Sequence, residues 1–433
     1  MGKEVSIFWF RRDLRIEDNI GLTRALEGPN PVVPIFIFDP SILNELDRDD
    51  ARLTFIHQCL LGIQEALLKK GSDLKTFHCP VVEAFDRLAE EYTIRAVFTN
   101  TDYEPYARER DGEIANWAAA HNISFNSFKD QVIFEKSEVV KSDGNPYVVY
   151  TPYMKAWRVK LEQTGISDVP SPNWEQLDKD VTGGVMTMEQ IGFTPSGITV
   201  PAFHLTDQSI SSYLQTRDIP SKDKGTSRLG PHLRFGTVSI RQITRMALDS
   251  RSDGFLKELI WREFFMQILW HFPHTVDKAF KPAYDRITWR NNKEDFEAWK
   301  EGCTGYPLVD AGMRQLKATG YMHNRVRMLT ASFLCKHLLI DWRWGEAHFA
   351  RHLLDFELSS NVGNWQWAAG SGVDAAPYFR IFNPMTQHKK FDPQSKYIGQ
   401  WVPEFLLGSY PEPIIDHKQA RERCLETYKA ALQ

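Results

Sequence analysis

Residues 5–10 read VSIFWF and residues 32–38 read VVPIFIF, and these two runs decide the fold class. Both are short and rich in β-branched and aromatic side chains, the composition of buried strands. Similar runs follow at 74–78 and 95–100, and helical patterns lie between them, most clearly at 51–70. Strands that alternate with helices predict a doubly wound parallel α/β sheet. Its ligand would bind at the carboxyl ends of the strands, near residues 10–16, 38–42 and 100–107.

The strand pattern disappears in the second half of the chain. From about 165 to 205 the composition shifts to Pro, Gly, Ser and Thr, which indicates a connector with little regular structure. Helical patterns dominate beyond it, at 239–249, 254–272, 307–319, 324–340, 345–356 and 416–431. We therefore predict an α/β domain at 1–130, an interdomain connector at 131–212 and an all-helical domain at 213–433.

Composition narrows the class of protein. The 433 residues are 42% hydrophobic and 25% charged, an ordinary globular mixture. No apolar run approaches the length that spans a bilayer, which predicts a cytoplasmic protein, or a nuclear one in a host with a nucleus. The five cysteines are scattered along the chain, and this pattern argues against disulfides and against a metal site. Residues 1–212 carry 21 Lys and Arg against 32 Asp and Glu, and residues 213–433 carry 31 against 24, so the second half is the one suited to phosphate.

The segment 255–272, FLKELIWREFFMQILWHF, places charges in an otherwise apolar helix. Glu258, Trp261 and Arg262 recur at helical spacing, so a carboxylate, an indole and a guanidinium share one face. Charges in such surroundings have either a partner or a function. A solvated ion pair between Glu258 and Arg262 is the alternative to a functional site.

Two further segments could contact a ligand. Asn324, Arg327 and Met328 share one face of a second helix, where an amide and a thioether suit a planar, partly polar ligand, although packing alone also explains a methionine. The segment GTSRLGPHLRFG at 225–236 could direct backbone N–H groups and hydroxyls at a phosphate, or simply cap a helix. Most of the 13 tryptophans lie in the helical half, which suits base stacking and equally a large core.

Taken together, these motifs resemble those of the photolyase/cryptochrome flavoproteins, in the same order and nearly end to end. The matching segments are FWFRRDLRIEDNIGL (8–22), GTSRLGPHLRFGTVS (225–239), ELIWREFF (258–265), GYPLVDAGMRQLKATGYMHNRVRM (305–328), LLIDWRWGE (338–346) and NWQWAAGSGVDAAPYFRIFNP (364–384). The resemblance is closest to class I cyclobutane pyrimidine dimer photolyases. It implies an α/β domain joined to an all-helical domain that holds FAD, and a port through which UV-damaged DNA presents a flipped-out pyrimidine dimer.

The resemblance also implies which residues bind FAD. Those contacts fall on Tyr213, Thr226, Ser227, Arg228, Leu229, Arg327, Asp355, Glu357 and Asn361. Arg327 and Asp355 would pair beside the isoalloxazine ring, and Asn361 would lie opposite N5. A neutral amide there favours a flavin that is kept reduced. Relatives often carry Asp-x-Asp where this chain has Glu357 at the third position, so that contact is one methylene longer.

In the reaction that the resemblance implies, excited FADH⁻ gives one electron to the dimer, the ring splits and the electron returns. The residues that would act on the dimer are Glu258, Asn324 and Met328, the first two as hydrogen-bonding partners of the base carbonyls. DNA and lesion contacts would come from Trp261, Arg262, Arg325, Trp367 and Arg380. Trp289, Trp342 and Trp365 match a chain of tryptophans that photoreduces oxidised FAD.

The resemblance leaves some points open. The rival functions are a cryptochrome photoreceptor without repair activity and a (6-4) photolyase, whose pair of histidines this chain lacks. The segment TDYEPYARERD at 101–111 lacks the Asn-Glu pair of folate-binding relatives. Asp102, Glu104, Phe36 and Phe38 would therefore line an antenna pocket for a deazaflavin or FMN rather than folate, or for no chromophore. We expect a monomer.

Overall fold

The computed structural model describes residues 2–250 and 252–433. The chain forms two compact units that are interleaved along the sequence. The first unit contains Met1–Glu138, Trp157–Pro201 and Leu229–Met246, and the second contains Val139–Ala156, Ala202–Arg228 and Ala247–Gln433. The predicted boundaries at 130 and 212 describe consecutive domains, whereas each compact unit collects segments from several parts of the chain.

The first unit is built on a parallel sheet of five strands, as the sequence predicts. Its strands are β1 (Lys3–Phe10), β2 (Val32–Phe38), β3 (Lys75–His78), β4 (Tyr92–Asn100) and β5 (Ser124–Phe128), in the order β3-β2-β1-β4-β5. The helices between them are α1 (Ile20–Leu26), α2 (Pro40–Leu43), α3 (Ala51–Leu68), α4 (Val81–Glu91) and α5 (Pro105–Ala120). The sequence pattern missed β5 because this edge strand, SFNSF, has no fully buried residue and therefore no apolar run.

Residues 229–246 pack with the sheet although they follow the connector in sequence. The guanidinium of Arg241 lies 2.8 Å from both Asp18 and Asp130, and Arg15 lies 2.6 Å from Asp130. Burial would raise the pKa of Asp130, but the two arginines outweigh it and hold that pKa below its ordinary value. Removing one member of such a buried pair costs about 3–5 kcal/mol. The charged motif at 8–22 therefore fixes the position of the segment at 229–246.

Helices supply the regular structure of the rest of the described chain, as predicted for 213–433, and two helices, Tyr150–Thr164 and Asp207–Ser211, lie in the segment predicted to be a connector. The remaining helices are α6 (Tyr150–Thr164), α7 (Asp207–Ser211), α8 (Tyr213–Thr216), α9 (Gly230–Arg234), α10 (Ile240–Asp249), α11 (Asp253–His271), α12 (Lys293–Glu301), α13 (Pro307–Thr319), α14 (Asn324–Ser332), α15 (Trp342–His352), α16 (Leu358–Ala369), α17 (Pro384–Phe391), α18 (Lys396–Trp401), α19 (Pro403–Leu406) and α20 (His417–Leu432). Across residues 2–250 and 252–433, we find no helix with both the length and the apolar character of a membrane span.

Two helix boundaries differ from the sequence prediction. The helix expected over 324–340 ends at Ser332 and continues as a π-helical turn, Phe333–His337, and Leu339 then adopts a positive φ of 52°. The helix expected at 345–356 begins at Trp342, because the carboxylate of Asp341 accepts a hydrogen bond from the backbone N–H of Arg343 and caps it. Trp342 therefore lies in the first turn of α15.

Candidate functional site

The helical unit contains a cavity whose wall combines amide, guanidinium, carboxylate, thioether and indole groups. Its empty volume is about 600 Å³, part of it open to solvent. The predicted site residues that line it are Asn324, Arg327, Met328, Asp355, Glu357, Asn361, Trp365 and Trp367. They come from α14, α16 and the short segment that joins α15 to α16, so three stretches of sequence converge on one space.

Arg327 and Asp355 form the predicted ion pair. Two guanidinium nitrogens of Arg327 donate to the two carboxylate oxygens of Asp355 at 3.0 and 2.9 Å, and its Nε donates to the carbonyl of Met322 at 2.7 Å. Burial would lower the pKa of Arg327, but Asp355 outweighs it, so the pKa is raised. The bidentate geometry fixes a planar cation in the cavity wall.

Asn361 is oriented by a carboxylate that the sequence did not single out. Its amide nitrogen donates to the carbonyl of Glu346 at 3.1 Å and to the side-chain oxygen of Glu346 at 2.8 Å. Both amide hydrogens are thus engaged, and the amide oxygen is the group left for a ligand. Burial raises the pKa of Glu346. An acceptor held in this way suits a protonated ring nitrogen.

Glu258 and Arg262 of α11 do not pair with each other. Glu258 forms an ion pair with Arg217, and Arg262 lies 3.0 Å from Glu357. The helical spacing offered a Glu258–Arg262 pair, but both side chains find partners on other segments. Arg262 was predicted to contact DNA, yet its side chain is only 12% exposed and is held by Glu357. Arg262 is thus tied to Glu357 in the cavity wall, and its contact with DNA stays a prediction.

Trp261 is held by a residue from the predicted connector. The ring of Tyr150 stacks on the indole with centroids 3.6 Å apart and planes 6° apart. The hydroxyl of Tyr150 donates to the carbonyl of Lys257 at 2.8 Å, and its N–H donates to Asp374 at 3.2 Å. Tyr150 therefore occupies one face of Trp261. It is the first residue of α6, which lies in the segment predicted to be a connector, so sequence reasoning did not single it out.

The segment predicted to bind phosphate places several groups around Tyr321. The hydroxyls of Thr226 and Tyr321 are 3.1 Å apart, and the guanidinium carbon of Arg228 lies 3.6 Å from the centre of the Tyr321 ring. Arg228 has a positive φ of 57°, which is uncommon for a residue with a side chain. The carbonyl of Ser227 accepts from the N–H of His204 at 2.7 Å. Leu229 is buried within the first unit.

Tyr213 lies beside Arg217, the ion-pair partner of Glu258. Its ring meets the edge of Phe255 with centroids 5.4 Å apart, and the guanidinium carbon of Arg217 lies 5.1 Å from the centre of the Tyr213 ring. Sequence reasoning assigned no role to Arg217, because it follows α8 in a short loop and has no periodic relation to α11. Arg217 is one of the functional candidates that only the structure reveals.

The buried His323, close to Arg327, shows that the helical unit suits an anionic cofactor. The Nδ1 of His323 accepts from the N–H of Arg325 at 3.1 Å, so its Nε2 carries the proton of the neutral ring. That Nε2 is buried without a partner among the described residues. Burial, followed by Arg327 and Arg228, lowers the pKa of His323 to about 4. An unused donor near two guanidinium groups fits a cofactor that carries phosphate and carbonyl oxygens, as FAD does.

Trp342 and Trp365 are both buried, and Trp365 packs on α15, the helix that contains Trp342. Trp365 is buried and lines the cavity, and Trp342 is equally buried. Gly345 stands one turn after Trp342 on α15, and a Cβ at Gly345 would lie 2.2 Å from the Trp365 ring. The backbone of α15 therefore closely approaches the Trp365 ring at Gly345.

Trp289 lies next to the start of α15. The side chain of Asn291 accepts from the N–H of Asp341 at 2.9 Å, which ties the segment after Trp289 to the residue before Trp342. Trp289 is half-buried, and its ring meets Tyr428 edge to face with centroids 6.0 Å apart. Trp365 thus lies in the cavity wall, Trp342 is buried and Trp289 is partly exposed, and their action as a chain stays a prediction.

Two predicted DNA contacts lie outside the cavity wall. Arg325 pairs with Asp218 at 2.5 Å, and its guanidinium carbon lies 4.5 Å from the centre of the Phe391 ring. Arg380 is exposed, with its guanidinium carbon 5.9 Å from the centre of the Phe382 ring. Both are cations at the surface of the helical unit, as a phosphate contact requires.

The first unit has its own cavity at the carboxyl ends of the strands. Its empty volume is about 870 Å³, part of it open to solvent, and Phe36, Phe38, Asp102 and Glu104 are all in its wall. Arg12 lies 3.0 Å from Asp102, and Arg234 lies 2.6 Å from Glu104. Burial would raise the pKa of Asp102, but the neighbouring arginines hold it well below its ordinary value. The four predicted antenna residues thus share one space.

Comparisons with known proteins agree with this site. Residues 6–173 match the family model described as DNA photolyase, and residues 255–408 match the FAD binding domain of DNA photolyase. The deoxyribodipyrimidine photo-lyase of Synechococcus sp. is 36% identical over 98% of this chain and 97% of its own. The crystal structure of a bacterial class III photolyase from Agrobacterium tumefaciens has a TM-score of 0.87 and 34% identity, covering 100% of this chain and 98% of its own. An archaeal photolyase from Sulfolobus tokodaii, solved with two FAD molecules, has a TM-score of 0.84 and 34% identity, covering 99% of this chain and 100% of its own.

Proposed function

The chain belongs to the DNA photolyase family, and from that premise we propose that it is a deoxyribodipyrimidine photo-lyase, which uses light to split cyclobutane pyrimidine dimers in damaged DNA. Its cofactor is FAD. The observation that carries the proposal is the cavity of the helical unit, where Asn324, Met328, Asn361 and Trp367 meet in one wall. A cryptochrome without repair activity would have no use for the lesion-contacting part of this wall.

FAD, when bound and reduced, supplies the electron that opens the cyclobutane ring under blue light. We propose that Arg327, Asp355 and Asn361 bind its isoalloxazine ring. Asn361 would accept from the ring nitrogen N5, because Glu346 already engages both of its amide hydrogens. Trp365, Trp342 and Trp289 would carry electrons inward when the cofactor needs to be reduced.

The residues proposed to act on the dimer approach it from different elements. Glu258 on α11, as the neutral acid when the lesion is bound, and Asn324 at the start of α14 would donate hydrogen bonds to the carbonyl oxygens of the two bases and stabilise the negative charge that develops there. Trp367, in the cavity wall, and Trp261 would pack on the flipped bases. Arg325 and Arg380 would bind phosphates of a DNA duplex held by a monomer.

The proposal predicts light-dependent repair by the purified protein. Incubated with an oligonucleotide that contains a thymine dimer, the photoreduced protein is expected to restore the two thymines under blue light and to leave them linked in the dark. Chromatography of the products measures the conversion. If dimers persist in the light while FAD is bound and reduced, the assignment as a photo-lyase is wrong.

Replacing Glu258 by alanine is expected to lower the repair yield about ten-fold or more, because one donor to the base carbonyls is lost. FAD absorbance per protein should stay unchanged, since Glu258 is not in the wall of the flavin cavity. The matched control is Glu297→Ala on α12, an exposed carboxylate paired only with Lys300 one turn away. A yield equal to that of the control would remove Glu258 from the mechanism.

A second chromophore is part of the proposal for the first unit. The cavity at the strand ends contains aromatic rings and several guanidinium groups, which suit a flavin-type ring with an acidic substituent. The Sulfolobus tokodaii relative was solved with two FAD molecules. We propose that this cavity binds a deazaflavin or FMN rather than folate.

Membership of class I within the photolyase family also remains a prediction.

A further inference from the structure

Four side chains of alternating charge form a continuous row across the surface of the helical unit. Glu258 pairs with Arg217, Arg217 Nε lies 4.0 Å from Asp218, and Asp218 pairs with Arg325 at 2.5 Å. One end of this charge row is the proposed lesion contact and the other end is the proposed phosphate contact. The two middle members, Arg217 and Asp218, had no assigned role.

The pairs in the charge row differ in strength. Arg325 donates to the same carboxylate oxygen of Asp218 through Nε at 3.1 Å and Nη2 at 2.5 Å, whereas Arg217 reaches Asp218 only at the limit of an ion pair. Arg217 instead donates directly to Glu258. The side chain of Asp218 is 44% exposed, so a phosphate from solvent can compete for its partner.

A phosphate that binds Arg325 would take the place of Asp218. The freed carboxylate of Asp218 then has one cation beside it, Arg217, and the attraction between them rises as their separation falls below 4.0 Å. As the Arg217–Asp218 ion pair becomes stronger, the Arg217–Glu258 ion pair becomes weaker. The carboxyl of Glu258 is then available to the flipped base.

We propose that Asp218 determines specificity by coupling phosphate binding at Arg325 to the release of Glu258 for the lesion. The inference rests on the proposed function of those two residues. In the DNA-free protein, Asp218 also occupies Arg325 and so restrains binding to undamaged duplexes. Arg217 transmits the change and is a positioning residue, since it acts through Glu258.

The test compares Asp218→Asn with Asp223→Asn, which removes the same charge from the same loop. Asp223 is exposed and its carboxylate accepts only from the N–H of Lys224 at 3.0 Å. Asp218→Asn is expected to bind undamaged duplex about three- to ten-fold more tightly at low salt, with a salt slope steeper by up to about one, because Arg325 is freed. Affinity for dimer-containing duplex should change less, so the ratio of the two affinities falls. Asp223→Asn should leave the ratio unchanged.

A double-mutant cycle tests the coupling. Asp218 and Glu258 share the partner Arg217, so the charge row predicts non-additive effects, whereas residues that act independently give additive ones. The charge row predicts that Glu258→Ala reduces dimer affinity less in the Asp218→Asn background than in the wild type. Asp218→Glu, which keeps the charge, should restore wild-type behaviour.

The outcomes distinguish the two levels of the proposal. If the wild type repairs dimers but Asp218→Asn and Asp223→Asn give the same affinity ratio, or if the cycle is additive, the coupling is wrong and the photo-lyase function stands. If the wild type does not discriminate dimer-containing from undamaged duplex, the proposed function itself is wrong. Circular dichroism and FAD content of each variant verify that the fold is retained.

Discussion

Trp342→Phe is expected to abolish the light-driven reduction of oxidised FAD while leaving repair by the pre-reduced protein intact. Trp342 and Trp365 are each 2% exposed, so both indoles are available as buried relays for electrons. Light-driven reduction of the flavin would pass electrons through them, and a phenylalanine ring is much harder to oxidise than an indole. The exchange keeps an aromatic ring in the core, which limits the packing cost.

The measurement is the loss of oxidised-flavin absorbance under blue light with an external thiol, followed by a repair assay on dithionite-reduced protein. Trp344→Phe is the matched control, because Trp344 lies two residues away on α15 and packs edge to face on Phe296 with centroids 5.2 Å apart. It should photoreduce at the wild-type rate. Loss of repair in the pre-reduced Trp342→Phe protein would show that the two electron routes are not separate.

The fold could largely be predicted because its elements have local signatures. The apolar runs of β1, β2 and α11 are properties of neighbouring residues, so the sequence itself contains them. β5 has no such run, and its position depends on the hydrogen bonds offered by β4. The interleaved units escaped prediction for the same reason: Arg241 pairs with Asp18 and Asp130, more than a hundred residues away, and no local pattern encodes that pairing.

For the candidate site as well, local spacing predicted some features and tertiary contacts determined the others. The spacing of Asn324, Arg327 and Met328 on one helix placed them correctly in the cavity wall. The charged residues of α11 were placed on one face, but their partners could not be deduced, because Arg217 and Glu357 approach from segments 41 and 95 residues away. Local spacing offered a Glu258–Arg262 pair, and tertiary contacts replaced it. A sequence shows which charges are unusual, whereas the fold decides which charges meet.

Replacing Glu357 by alanine is expected to lower the free energy of unfolding by about 3–5 kcal/mol, because it removes a nearly buried carboxylate that compensates Arg262. Urea unfolding followed by circular dichroism measures the change. The matched control replaces both partners, Arg262→Met with Glu357→Leu. It should recover most of the loss, since neither charge then has to be buried.

Glu357→Asp tests the departure of this chain from the Asp-x-Asp pattern. Arg262 Nε lies 3.0 Å from the glutamate oxygen, so a side chain shorter by one methylene leaves a gap that α11 or α16 must close. We expect a loss of stability between those of the wild type and Glu357→Ala, and weaker FAD retention, because Glu357 also lines the flavin cavity. Stability equal to the wild type would mean that the longer side chain is not needed to reach Arg262. The extra methylene would then have to be explained by the shape of the cavity and not by the ion pair.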